Sequence, residues 1–134
     1  MSTSYNEIAD RWIDWAAREE KVRALWIEGS TLKEVRRPYS KLCLHVVADE
    51  PLFPALLADL TDSIDRIVEA KVLRVTDTTR FAKELLAKTG SLEFTIIVEQ
   101  SNLLAKRPRN EVVPLVDKTG HLCHVMDFSL RRRA

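Results

Sequence analysis

The sequence predicts an α+β domain in which helices pack on a mixed β-sheet. Three observations carry this expectation. The N-terminal segment repeats apolar side chains at helical spacing. The later apolar runs are short and bounded by turn residues, as strands are. The resulting order is helix, strand, strand, helix, strands, short helix, hairpin, which suits a sheet covered by helices. A length of 134 residues allows one domain and is too short for two. With 46% apolar and 31% charged residues, the chain has a globular rather than a disordered profile.

Taken in order, Ser4 followed three residues later by Glu7 has the form of a capping box. Behind it Ile8, Trp12, Trp15 and Ala16 form a helical stripe flanked by Ile13, so a helix is expected over 5–19. Trp12 and Trp15 read as core residues rather than a base-stacking platform. A strand is expected over 22–28, ending at Gly29-Ser30, and a loop or short broken helix over 31–40. A second strand covers 42–47. Pro51 and Pro54 open a helix over 52–60, where the missing N–H of proline does no harm. A third strand is expected over 67–75. Residues 80–88 fit a strand or a short helix equally. A clear strand runs over 92–98, entered through the hairpin turn Lys88-Thr89-Gly90-Ser91. One or two helical turns are expected over 101–106, and a terminal hairpin joins 112–116 to 121–126 through Asp117-Lys118-Thr119-Gly120.

Lys and Arg number 21 against 20 Asp and Glu, which leaves no electrostatic footprint for duplex DNA or an anionic membrane. Nucleic acid and membrane are therefore not the expected partners. The basic loop Lys106-Arg107-Pro108-Arg109 and the basic tail over 128–134, with Arg131, Arg132 and Arg133, read as solvated, the tail as flexible. No apolar stretch approaches the roughly 20 residues that span a bilayer. The N-terminus lacks the basic region and apolar run of a secretory signal, so a cytoplasmic location is expected. Cys43 and Cys123 lie far apart in apolar segments and are expected as reduced thiols.

The segment Leu25-Trp26-Ile27-Glu28-Gly29-Ser30 is a strand running into Gly-Ser, and ten residues later Lys41-Leu42-Cys43-Leu44-His45-Val46-Val47 begins. This pattern resembles the signature of the DNA-polymerase-beta-like nucleotidyltransferase superfamily, in which Asp-x-Asp opens the second strand at that spacing. Tyr39-Ser40-Lys41-Leu42-Cys43-Leu44-His45 resembles the Tyr-Ser-Asp-x-Asp-Leu-His of its bacterial small-molecule branch, which includes the aminoglycoside adenylyltransferases. Leu92-Glu93-Phe94-Thr95-Ile96-Ile97 resembles the strand bearing the third carboxylate, and Val112-Val113-Pro114-Leu115-Val116-Asp117-Lys118 a closing hairpin. The resemblance covers about residues 22–117 and implies a minimal nucleotidyltransferase fold, one domain over 1–134. It also implies a site in which Lys41 and Cys43 occupy the two aspartate positions and Glu93 the third, the sole remaining catalytic carboxylate.

Nucleotidyl transfer builds charge on phosphate oxygens, which two divalent ions neutralise while holding attacking and leaving oxygens in line. Alternation puts Lys41, Cys43 and His45 on one strand face and Leu42, Leu44 and Val46 on the other. Glu93 and Thr95 likewise oppose Leu92, Phe94, Ile96 and Val98. The fold that the resemblance implies would aim positions 41, 43 and 93 together, but only one of them is a carboxylate. A lysine repels a cation, by about 4 kcal/mol for unit charges at about 4 Å and an effective dielectric near 20. A thiol is a poor ligand for hard Mg²⁺. No metal or cofactor is expected, Mg²⁺ entering only if the chain is an active transferase. Gly29, Ser30 and Lys41 remain as phosphate-binding groups, through turn N–H groups, a hydroxyl and an ammonium.

The leading expectation is a non-catalytic nucleotidyltransferase-like domain that binds a nucleoside triphosphate, another phosphate ligand or a protein partner. The alternatives are an active small-molecule or protein nucleotidyltransferase with a non-standard site, and an interaction module such as a toxin–antitoxin component. A homodimer that completes the cleft is a further expectation. A zinc site from Cys43, His45, Cys123 and His124 lacks the usual ligand spacing, Asp49-Glu50 reads as an exposed helix entry, and a Cys43–His45 nucleophile pair lacks an apparent orienting acid.

Overall fold

The computed structural model describes residues 4–28, 41–79, 81–100 and 112–118. Within them α1 (Tyr5–Arg18) is followed by β1 (Ala24–Glu28), β2 (Cys43–Ala48), a 3-10 turn (Glu50–Leu52), α2 (Phe53–Val68), β3 (Lys71–Thr79), β4 (Ala82–Thr89), β5 (Leu92–Gln100) and β6 (Val112–Asp117). The strands form one six-stranded sheet in the order β3-β4-β5-β2-β1-β6. β2 and β5 run parallel and the other neighbours antiparallel. The architecture is the expected α+β domain with helices on a mixed sheet.

α1 starts where its cap predicts: the Ser4 hydroxyl accepts from the Glu7 N–H at 3.2 Å. Ile8, Ala9, Trp12 and Ala16 are buried, and Trp12 meets Phe94 of β5 edge-on at 6.5 Å. α2 runs eight residues past the expected end at residue 60. Leu56, Leu60, Ile64 and Val68 repeat every fourth residue and all face the core. The strand expected from 67 therefore begins only at Lys71. Helix termination comes from Glu69, at φ 55, whose N–H donates to the Asp65 carbonyl. This is a left-handed cap without the usual glycine signal.

Residues 80–88, ambiguous in sequence, contain strand β4 and close a long hairpin onto β5. Its two-residue turn has Gly90 at φ 60, the type II′ geometry that matches strand twist. β1 starts two residues later than expected, and β5 continues two residues further, through Glu99 and Gln100. β6 confirms the strand expected over 112–116, and it pairs with β1. Its expected hairpin partner over 121–126, the helical turns over 101–106, the loop over 31–40 and the tail over 128–134 lie outside the described residues.

Both helices pack on one face of the sheet, against Leu25, Ile27, Leu44, Val46, Phe94, Ile96 and Val98. The opposite face carries Cys43 and His45 of β2 and Glu93, Thr95 and Glu99 of β5. No described helix is long and apolar enough to cross a membrane.

Candidate functional site

The face opposite the helices follows directly from register. Cys43 pairs with Thr95, His45 with Ile97 and Val47 with Glu99 in the parallel β2–β5 ladder. Directly paired residues share a face. Cys43, His45, Thr95 and Glu99 therefore stand together, as the alternation predicts for the first three. Lys41 lies at a bend just ahead of β2, and the Leu42 carbonyl accepts from the Thr95 N–H at 3.2 Å. Glu93 pairs with Lys88 of β4 and thus shares its sheet face with that lysine. Lys41 and Glu93 are exposed, and the Tyr5 hydroxyl donates to the Glu93 backbone carbonyl at 2.9 Å, tying α1 to this end of the sheet.

Deeper along the same face lies a contact set that sequence reasoning missed. His45 and Glu99 are both fully buried, and His45 Nδ1 lies 2.6 Å from Glu99 Oε1. In the tautomer that carries its proton on Nδ1, the ring donates to Glu99. Nε2 then offers its lone pair on the other side of the ring, where Cys43 Sγ stands 3.7 Å away, within reach of a sulfur hydrogen bond. Trp26 of β1, which pairs with His45, stacks on the imidazole at 3.6 Å and 15°. The ring is therefore held by a hydrogen bond in its plane and an indole against its face. Cys43 is a free thiol and only partly buried. The orienting acid that the Cys43–His45 pair lacked in sequence is Glu99. It belongs to the two residues by which β5 exceeds its expected end. Had the strand been carried past Val98, the alternation Glu93, Thr95, Ile97, Glu99 would have found it.

Gly29 and Ser30, the expected phosphate-binding turn, lie outside the described residues, as do Cys123 and His124. Among the described residues no three His, Cys, Asp or Glu side chains converge to hold a metal ion. At the helix entry, Asp49 makes a bidentate pair with Arg23, at 2.6 and 3.3 Å, and its carbonyl accepts from the N–H groups of Leu52 and Phe53. A groove of about 430 Å³ between α1 and α2, lined by Arg11, Trp15, Arg18 and Arg66 among others, sits on the helical side. None of the expected site residues lines it.

No protein-family model and no curated protein matches the chain.

Proposed function

We propose that the chain is a nucleotidyltransferase-like domain that binds a nucleotide or another phosphate ligand and does not transfer nucleotides. The observation that supports this reading is the β2–β5 register. It sets Cys43 beside Thr95, on the face that alternation along β5 gives to Glu93, with the exposed Lys41 two residues ahead of Cys43. Lys41 offers an anion the charge that a divalent ion would otherwise supply. The same lysine, together with Lys88 beside Glu93, opposes a dication at the one carboxylate left.

Calorimetric titration with ATP and GTP, with and without Mg²⁺, tests the reading. Binding that is independent of Mg²⁺ and lost in Lys41→Ala is the expected result. Absence of binding under both conditions would overturn the ligand-binding part of the reading. Mg²⁺-dependent release of pyrophosphate would overturn the non-catalytic part.

A further inference from the structure

We propose that Cys43, His45 and Glu99 form a nucleophile, a general base and a positioning acid for acyl transfer from thioesters or activated esters. The proposal goes beyond nucleotide binding and does not depend on it. Three features carry it. Cys43 Sγ faces His45 Nε2 at 3.7 Å, and it is the partly exposed member of the set. His45 Nδ1 lies 2.6 Å from a buried carboxyl oxygen, a partner for the tautomer whose Nε2 accepts a proton from sulfur. The Trp26 stack keeps the ring in that plane. A nucleophile within reach of a base that a third group orients is the general signature of covalent catalysis.

The chemistry balances with these groups and water. Cys43 Sγ–H gives its proton to His45 Nε2 as the sulfur bonds to the acyl carbon. Glu99 stabilises the imidazolium that forms. Collapse of the tetrahedral intermediate breaks the bond to the leaving alcohol or thiol, which takes the proton from Nε2, and leaves a thioester on Cys43. Water then attacks that thioester, losing a proton to Nε2. The carboxylic acid departs and the proton returns to sulfur. Thr95 is in register beside Cys43 and shares its sheet face. Lys41, two residues before Cys43 and exposed, favours acyl compounds that carry an anionic group.

The test uses the full chain and p-nitrophenyl acetate, with the acetylated peptides located by mass spectrometry. The expected result is a stoichiometric burst of p-nitrophenolate with the acetyl group on Cys43. The burst should be lost in Cys43→Ser and slowed about a hundredfold in Glu99→Gln, the lower end of what a positioned base contributes. Iodoacetamide alkylation of Cys43 is the control for a purely structural role of Glu99. If Glu99 only held the fold, its loss would expose the thiol and speed alkylation; if it positions the base, alkylation slows. Acetylation of other residues only, an unchanged burst rate in Glu99→Gln, or faster alkylation in that variant would each overturn the proposal.

Discussion

Removing the Glu99 carboxylate should be among the most costly single changes in this sheet. Glu99 and His45 are both fully buried and 2.6 Å apart, so Glu99→Leu takes the acceptor from a donor that lies inside the protein. Breaking a buried pair costs about 3–5 kcal/mol, and the charge-assisted hydrogen bond alone contributes about 1.5–3 kcal/mol. We expect a loss of about 3 kcal/mol. For 134 residues an unfolding entropy of about 2.1 cal/mol/K per residue amounts to about 0.28 kcal/mol/K, so Tm should fall by about 11 °C. Urea unfolding followed by tryptophan fluorescence reads the loss directly, because Trp26 stacks on His45. The double variant His45→Leu with Glu99→Leu should recover much of it, since replacing both partners with apolar groups is close to neutral. A loss below about 1 kcal/mol in Glu99→Leu would refute the reasoning. So would a double variant no more stable than the sum of the single losses allows.

Leu60→Ala, in the buried stripe of α2, should cost about 2–5 kcal/mol in the same urea assay and leave the sheet face at Cys43 unchanged; a cost below about 1 kcal/mol would contradict the packing. Gly90→Ala meets no atom within 4 Å, so its cost should be backbone strain alone, about 1–2 kcal/mol at φ 60, and Gly90→Asn should cost less. Burial pushes the Lys118 ammonium below its usual range, against the pull of Glu19 and Glu20, so the unfolded chain holds that proton more tightly than the folded one. Stability should therefore gain a contribution as pH rises through the folded pKa towards 10.5, and Lys118→Gln should flatten the slope of stability against pH there. An unchanged slope would remove burial as the cause.

Much of the framework was legible from residues close in sequence. The Ser4 cap and the stripe Ile8, Trp12, Ala16 announced α1, and Trp12 is a core residue as its spacing implied. Alternation assigned the inner faces of β2 and β5 correctly. The errors fell where two periods overlap or a signal is absent. Ile67, Val68 and Val72 fit a strand as well as a helix end, and a left-handed Glu69 stops α2 without the glycine that usually marks such a cap. For the site, Lys41, Cys43 and Glu93 were legible as positions, whereas Glu99 was not, because it falls beyond the point at which the strand was expected to stop.

By itself, then, the sequence determined which side chains share a face, since a period of two or of about 3.6 is a property of the local backbone. It also determined that Cys43 and His45 point the same way. Which strands become neighbours was decided only by tertiary structure. The parallel pairing of β2 with β5 joins residues about fifty positions apart, and a parallel pair needs a crossover, which here contains α2, β3 and β4. That pairing places Glu99 against a histidine 54 residues away and lays Trp26 on its ring. No periodicity encodes such a contact, because it depends on how the whole sheet closes around its core.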